Sequence, residues 1–393
     1  MTFALSREHE TFRHSVREFA EAEVAPHVAQ WDKDHHFPVD VVQKMGRLGL
    51  FGLTAPEEFG GAGGDFTSLC VAIEELGRVD QSIGITLEAG VGLGITPILA
   101  YGTQEQKERW LPDLVAGQAL AGFGLTEPGA GSDASATRTR AELDGAEWVV
   151  NGSKQFISNS GTEITSLVTV TARTGTRTDP SGAAGRPEIS TIVIPAGTPG
   201  FVVEPAYDKL GWHISDTHPL SFVDARVPED HLLGDRGRGY AQFLATLDDG
   251  RVAIAALAVG CIQACLDLCV QYAGERTTFG VPIGSKQGVA FQISDLAVMA
   301  QAGRALTYQA AAMKDAGAPT KEFKQAASIA KLYTSESAVT ATRIATQVFG
   351  GYGFMEEYPV ARFYRDAKIL EIGEGTSEVQ RMLIARGLGL PVE

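Results

Sequence analysis

The chain has 393 residues, 44% of them hydrophobic, and a formal net charge of −15 at pH 7. This composition is typical of globular proteins and argues against collagen-like, repetitive or long disordered chains. The charge argues against nucleic-acid binding, which needs clustered Lys and Arg, and the length suggests two or three domains of ~100–200 residues each.

The first residues carry no targeting signal that the sequence reveals. They lack the apolar core of a secretory signal, and the early Glu8 and Glu10 are atypical of a transit peptide. No segment reaches the ~18 uninterrupted apolar residues of a spanning helix. We therefore expect a cytoplasmic protein without a membrane span.

Residues 1–118 have the periodicity of helices. Apolar residues recur three or four positions apart, as at Phe12 and Val16. Thr103 followed by Gln106 fits a capping box at the start of a helix. We predict an all-helical N-terminal domain.

Residues 119–238 change to a period of two. The predicted strands are 147–152, 166–173, 189–195, 201–206 and 220–228. Asp144–Gly145 and Asn151–Gly152 are dipeptides typical of tight hairpin turns, and 175–187 is predicted to be a surface loop. The pattern predicts a central antiparallel β domain, either a sandwich or a barrel.

Residues 239–393 return to helical periodicity. The predicted helices cover 239–274, 285–317, 320–348 and 375–388. Four long helices joined by short connections favour a C-terminal four-helix bundle.

Three cysteines recur every fourth residue in the first of these helices. Cys261, Cys265 and Cys269 would share one face, an arrangement that also fits metal binding. No nearby His or carboxylate completes a ligand set, and free Cys is often buried. We interpret the three as core residues and predict no metal site.

The most informative string is RDAKILEIGEGTSEVQR at 365–381, which places Glu374 between Gly373 and Gly375. A carboxylate on a turn without flanking side chains can approach a flat substrate closely. Thr376 or Ser377 is a plausible N-cap of the helix that follows. The alternative is a charge that favours the helix dipole, worth only ~0.3–1 kcal/mol.

Other strings occur along the chain. They are LTEPGAGSD at 125–133, KQFISN at 154–159, ERTTFG at 275–280 and QVFGGYGF at 347–354. Together with 364–381, they resemble the signatures of the acyl-CoA dehydrogenases, in the same order and over essentially the whole chain. The resemblance implies the acyl-CoA dehydrogenase fold, with Glu374 as the base that removes a proton next to a thioester.

Removing a hydride from the β carbon needs a redox cofactor, because no side chain accepts a hydride. The sequence has no GxGxxG motif opening a βαβ unit, which argues against a nicotinamide site. The resemblance implies FAD instead. Its binding residues in the β domain would be Phe123, Leu125, Thr126, Ser132, Phe156, Ile157 and Ser158. Without the resemblance, these segments would be interpreted as a glycine turn and a buried strand.

The resemblance also implies a second set of FAD contacts, made to the cofactor of a neighbouring subunit. These residues are Arg276, Thr278, Phe279, Lys286, Gln287, Gln347, Gly350 and Gly351, and Thr376 and Glu378 are further cofactor-binding candidates. Arg suits a pyrophosphate because its donors pair two oxygens, although Arg276 alone could be an ordinary surface arginine. The resemblance implies a homo-oligomer, namely a tetramer formed by two dimers.

The acyl-CoA site is implied in the same way. Its candidates are Ser132, Asp248, Arg251, Gly375 and Arg386. Some relatives place their catalytic glutamate where this chain has Gly250, so Glu374 follows the short- and medium-chain arrangement. Gly373 replaces a frequent tyrosine, which leaves the acyl preference open. A basic residue such as Arg386 in a last helical turn also favours the dipole.

The resemblance thus implies a FAD-dependent enzyme that oxidises an acyl-CoA to a trans-2-enoyl-CoA and passes electrons to an electron-transfer flavoprotein. One alternative is an oxygen-using relative of the same fold, such as an acyl-CoA oxidase or a flavin monooxygenase. Another is a noncatalytic binding protein, which would not need Glu374.

Overall fold

The structure is a computed structural model that describes residues 5–176 and 185–392. Its N-terminal part is helical, as predicted. The helices are α1 (Arg7–Phe19), α2 (Val28–Asp34), α3 (Val39–Arg47), α4 (Phe66–Val79), α5 (Gln81–Glu88), α6 (Thr96–Tyr101) and α7 (Gln104–Val115). The capping box that begins α7 is confirmed, because Thr103 Oγ1 accepts from Gln106 N and Gln106 Oε1 accepts from Thr103 N.

The central part is a mainly antiparallel sheet. Its strands are β1 (Leu120–Gly124), β2 (Arg140–Asp144), β3 (Glu147–Ser158), β4 (Thr165–Thr176), β5 (Pro187–Pro195), β6 (Phe201–Val203), β7 (Thr217–Pro228) and β8 (Leu232–Leu233). The order is β6-β7-β3-β2-β4-β5-β8, and β1 pairs with β4 in parallel. The eight strands form one sheet, whose core includes Trp148 and Phe222.

Two local predictions in this sheet need correction. Asn151–Gly152 does not form a turn but lies inside β3, at a bulge. A Cβ on Gly152 would lie 2.5 Å from Thr139 Oγ1, so the glycine allows a close strand approach. The predicted strand at 201–206 ends at Val203. Of the predicted loop at 175–187, residues 177–184 lie outside the described part of the chain.

The C-terminal part contains the four predicted helices, three of them long and the last one of 11 residues. They are α8 (Gly239–Glu275), α9 (Gln287–Asp315), α10 (Thr320–Phe349) and α12 (Ser377–Gly387). A further short helix, α11 (Pro359–Ala367), was not predicted. A two-stranded ribbon of β9 (Thr277–Thr278) and β10 (Val281–Pro282) connects α8 to α9.

Helix α8 lies at the centre of the molecule. It packs against α4 of the N-terminal part and against α9 and α10. A Cβ on Gly260 would lie 2.4 Å from Glu74 O, so glycine is required where α8 crosses α4. Cys261, Cys265 and Cys269 are buried in this packing, in agreement with their interpretation as core residues.

Two helical stretches are long and apolar enough to cross a membrane. They are Gln81–Tyr101 and Gly239–Glu275, and 72% and 78% of their most apolar windows are buried inside the protein. Because most of each window is buried inside the protein, we interpret both stretches as core helices. The first stretch combines α5, a π-helical segment (Ala89–Ile95) and α6. Its π-helical segment packs on β1, with a Cβ on Gly94 falling 3.2 Å from the Ala121 side chain.

Candidate active site

The turn that carries Glu374 has an unusual backbone. Glu374 has φ of 52°, in the left-handed region, and the next residue, Gly375, has φ of 93°. A non-glycine residue in this region costs of order 1–3 kcal/mol and is often found at a functional site. Thr376 is the N-cap of α12, because its Oγ1 accepts a hydrogen bond from Val379 N at 3.3 Å. The turn is therefore a strained connection that ends at a capped helix.

Two side chains hold this turn in place. Lys331 Nζ, on α10, donates to Gly375 O at 2.8 Å, and Gln380 Nε2, on α12, donates to the same oxygen at 2.9 Å. Lys331 and Gln380 are both fully buried. The two bonds fix the carbonyl group next to Glu374 from two different helices.

The carboxyl group of Glu374 lies in a buried environment. The residue as a whole is half-buried, but its Oε2 is fully buried and has no hydrogen-bond donor in the described part of the chain. Burial raises the pKa of Glu374 to about 7. Interactions with Glu88, Lys331 and Arg251 oppose that rise. Glu374 can therefore gain or lose a proton near neutral pH, which suits a general base.

Asp248 and Arg251 lie together on α8, one turn apart. Arg251 donates to Asp248, and Lys324 Nζ lies 3.0 Å from the other Asp248 oxygen. Arg251 also acts on the charge of Glu374, so this predicted substrate pair does lie beside the predicted base. Arg386 lies elsewhere: it is exposed near the end of α12, about 15 Å along the helix from its start, and donates to Val392 O.

The first predicted flavin segment follows β1. Phe123 is buried and stacks on Phe243 of α8, with ring centroids 3.8 Å apart. Leu125 O accepts from Lys154 Nζ at 3.3 Å, and Thr126 O accepts from Gln155 N at 2.8 Å. The two predicted segments, 125–133 and 154–159, therefore lie side by side.

A buried ion pair joins these segments and was not predicted. Lys154 Nζ lies 2.8 Å from Glu127 Oε1, and both side chains are almost fully buried. Ser132 is exposed on the loop between them, and Cβ atoms on Gly129 and Gly131 would meet no atom within 4 Å. The buried ion pair therefore anchors this loop, and the space next to its glycines is open.

The second flavin segment ends β3. Phe156 has φ of 62° and its side chain is 62% exposed, although it lies within a strand, where the register with β7 shifts. Ile157 is buried, and Ser158 is half-buried at the end of the strand. An exposed aromatic face beside a hydroxyl group and an open glycine loop fits an aromatic cofactor such as a flavin.

The end of β3 also contacts the helix that approaches Glu374. Asn159 Nδ2 donates to Thr86 O, on α5, at 3.2 Å. Glu88, two residues later on α5, interacts directly with the Glu374 carboxyl group. The predicted flavin segment and the predicted base are therefore connected through α5.

The remaining predicted cofactor residues form a second, exposed group. Arg276 lies over the Tyr352 ring at 5.6 Å, which brings the end of α8 to the turn after α10. In the described chain the exposed members are Arg276, Phe279, Lys286, Gln287, Gln347, Gly350 and Gly351, while Thr278 is half-buried in β9. Phe279 is 96% exposed. Thr376 and Glu378 lie apart from this group, at the start of α12.

Comparisons with known proteins identify the family of the chain. The acyl-CoA dehydrogenase N-terminal, middle and C-terminal domain families match residues 6–118, 122–225 and 237–389. The chain belongs to the acyl-CoA dehydrogenase family. It is therefore an oxidoreductase of a flavoprotein family. The family and the fold class expected from the sequence are both confirmed.

Individual relatives cover nearly the whole chain. A probable acyl-CoA dehydrogenase of Bacillus subtilis, YngJ, is 46% identical over 99% of this chain and 100% of its own length. The structure of butyryl-CoA dehydrogenase from Megasphaera elsdenii has a TM-score of 0.92 and 39% identity, and covers 99% of this chain and 100% of its own. A chain from a structural study of the electron transferring flavoprotein of Acidaminococcus fermentans has a TM-score of 0.92 and 41% identity, with 99% of both chains covered.

Three residues of this acyl-CoA dehydrogenase site escaped the sequence reasoning: Glu88, Lys331 and Gln380. Glu88 had a signal, since it is the only charged residue between Gln81 and Tyr101. Lys331 had a weaker one, because it follows Ala327 by four residues on the apolar face of α10. A charged residue at a position where helical periodicity predicts burial needs an interaction partner. The sequence does not reveal which residue that partner is.

Proposed function

We propose that the protein is a FAD-dependent acyl-CoA dehydrogenase that converts an acyl-CoA thioester to its trans-2-enoyl-CoA, with Glu374 as the base that takes the α proton. The observation that carries the proposal is the Glu374 carboxyl group, which is presented on a strained turn, buried, and shifted in pKa to about 7. Membership of the acyl-CoA dehydrogenase family supports it.

The surroundings of Glu374 suit proton removal from a weakly acidic carbon. A carboxylate in water is a poor base for such a carbon, and a pKa close to the working pH improves the transfer. Burial supplies this shift, while Lys331 and Arg251 keep a fraction of the group ionised. The protein thus holds a basic carboxylate ready in a site from which water is largely excluded.

The developing enolate also needs a hydrogen-bond donor. The N–H group of Glu374 is a candidate, because no carbonyl group in the described chain accepts from it. Gln380 Nε2 lies 3.4 Å from Glu374 O, and Lys331 and Gln380 both donate to Gly375 O, so the two peptide groups that follow this N–H group are held in place. We propose that it binds the thioester oxygen. Asp248, Arg251, Ser132 and Arg386 would contact other parts of the acyl-CoA.

FAD, when bound, would supply N5 as the acceptor for the hydride of the β carbon, which no side chain can do. Phe156 would cover the ring, and the Ser158 hydroxyl and the backbone of Leu125 and Thr126 would bind it. The exposed group around Arg276 and Phe279 would bind the FAD of a second copy. Such an arrangement requires a homo-oligomer, which we propose to be a tetramer.

The electron acceptor is proposed to be an electron-transfer flavoprotein. The similarity to a chain from a structural study of such a flavoprotein supports this assignment. We also propose that the enzyme is cytoplasmic, which bacterial relatives such as that of Bacillus subtilis support.

Anaerobic bleaching of the flavin absorbance by acyl-CoA thioesters tests this function. We expect bleaching of the purified yellow protein by at least one straight, branched or cyclic acyl-CoA, and none in Glu374→Gln, which should keep its flavin. Undiminished bleaching in Glu374→Gln would remove this residue from the mechanism. Hydrogen peroxide formed in air at the rate of acyl-CoA consumption would indicate an oxidase instead.

A further inference from the structure

A second buried acid faces the candidate base. Glu88 is the last residue of α5 and is fully buried, and neither of its carboxyl oxygens has a hydrogen-bond donor among the basic and amide groups of the described chain. Room for this carboxyl group comes from Gly92 in the π-helical segment, where an added Cβ would lie 2.9 Å from Glu88 Oε1. An uncompensated carboxylate at such a place would be costly.

The charges around the two acids differ. Lys331, on α10, and Arg251, on α8, both act on Glu374. Among the residues that the structure describes, only Glu374 acts on the charge of Glu88, and burial together with this second carboxyl group raises the pKa of Glu88 well above its usual value. Two carboxylates in contact cannot both ionise readily, so the acid that lacks a cation keeps the proton.

We propose that Glu88 is a positioning residue of the active site, which keeps its proton and donates a hydrogen bond from it to the Glu374 carboxylate. The inference rests on the proposed function. It explains why a buried acid is present in a helix with no other charged residue: Glu88 would hold the base in one orientation and stabilise its ionised form. The orphaned Oε2 of Glu374 is the acceptor that such a donor needs.

A proton held between two carboxyl groups also has a consequence for pH. The base would be ionised at a lower pH than burial alone allows, because a neutral donor, Lys331 and Arg251 all favour its charged form. Removing the donor should therefore leave a base that ionises only at higher pH.

The test compares Glu88→Leu, which has no donor, with Glu88→Gln, whose amide group can still donate. Thr86→Val is the control, because Thr86 is buried on the same helix and its hydroxyl group donates only to Ser82 O of that helix. The rate of anaerobic flavin bleaching is measured against pH. A second readout is the infrared band of protonated carboxyl groups at pH 8, which does not depend on turnover.

We expect the acidic limb of the Glu88→Leu profile to move up by about one pH unit, so that bleaching at pH 6 is about tenfold slower. Glu88→Gln should stay close to the wild type, and Thr86→Val should be unchanged. The protonated-carboxyl band at pH 8 should be lost in Glu88→Gln, in which Glu374 stays ionised at that pH. An unmoved limb in Glu88→Leu, or a band that is unchanged in Glu88→Gln, would overturn the role of Glu88. If the wild type is not bleached at all, the proposed function fails, and the infrared comparison still tests the proton on Glu88.

Discussion

Gly250 lies directly against the Glu374 carboxyl group: a Cβ atom on Gly250 would lie 2.0 Å from Oε2 of Glu374. Helix α8 therefore leaves a space, at Gly250, that is filled by the carboxyl group of Glu374, the candidate base. The resemblance drawn from the sequence placed the glutamate of some relatives at position 250. The structure shows that positions 250 and 374 reach the same place, so a side chain at one excludes a side chain of normal orientation at the other.

We expect Gly250→Ala to lose activity without losing the fold. The new methyl group would displace the Glu374 carboxyl group, and a misplacement of about 1 Å can cost about 10²-fold in rate. The neighbouring atom is the end of a side chain, so folding should not suffer, and Ala in a helix is about 0.5–1 kcal/mol more favourable than Gly.

Gly274→Ala is the matched control, because Gly274 is on the same helix and an added Cβ meets nothing within 4 Å. Steady-state turnover and thermal unfolding distinguish the outcomes. Normal turnover in Gly250→Ala would mean that the carboxyl group does not act from its observed position.

Lys331→Met should move the pH dependence of the reaction. The change keeps the length of the side chain, leaves Gly375 O with one of its two donors, and removes a positive charge that acts on Glu374. The pKa of Glu374 should rise, and bleaching at pH 6 should fall by about tenfold for each unit of that rise, with recovery at high pH. Lys321→Met changes an exposed lysine of the same helix and should leave the profile as it is. Identical profiles for both variants would contradict the role of Lys331.

Glu374→Gln should change stability in a pH-dependent way. Burial raises the folded-state pKa of Glu374 to about 7, above the value of about 4.5 expected in the unfolded chain. Its contribution to stability is therefore fully present below pH 4.5 and is lost as the pH rises towards 7. Glutamine does not titrate, so the variant does not lose this contribution as the pH rises. The melting temperature of the variant minus that of the wild type should therefore be a few degrees larger at pH 8 than at pH 5. A constant difference across this range would show that Glu374 is not perturbed.

The order and type of the secondary structures could be predicted because they follow from local periodicity. The long helices α8, α9 and α10 were found from their spacing of apolar residues. Asn151–Gly152 was wrongly assigned to a turn because the dipeptide is typical of hairpins. A glycine is needed at position 152 because Thr139, from another part of the chain, approaches the backbone closely there. Such a contact leaves no local pattern.

The candidate site also contains residues that could be predicted from the sequence and residues that could not. Glu374 and its two glycines stand out in the sequence because they are adjacent, whereas Glu88, Lys331 and Gly250 come together only through the packing of three other helices. The resemblance to a family implied functional roles for particular residues. It gave no information about the contacts that set the proton affinity of the base.

The exposure of Phe279 leads to a prediction about assembly. This side chain is 96% exposed and has φ of 51°, so a strained backbone presents a large apolar ring to the surface of the single chain. Burying one such ring is worth about 1.5–3 kcal/mol. If a second copy covers it near the FAD site, Phe279→Asp should weaken the oligomer by at least about tenfold and speed the loss of FAD on dilution. Val223→Asp, at a 66% exposed position on β7, is the matched control and should keep both. Sedimentation and flavin fluorescence measure the two effects, and an intact oligomer with tightly bound FAD in Phe279→Asp would place the interface elsewhere.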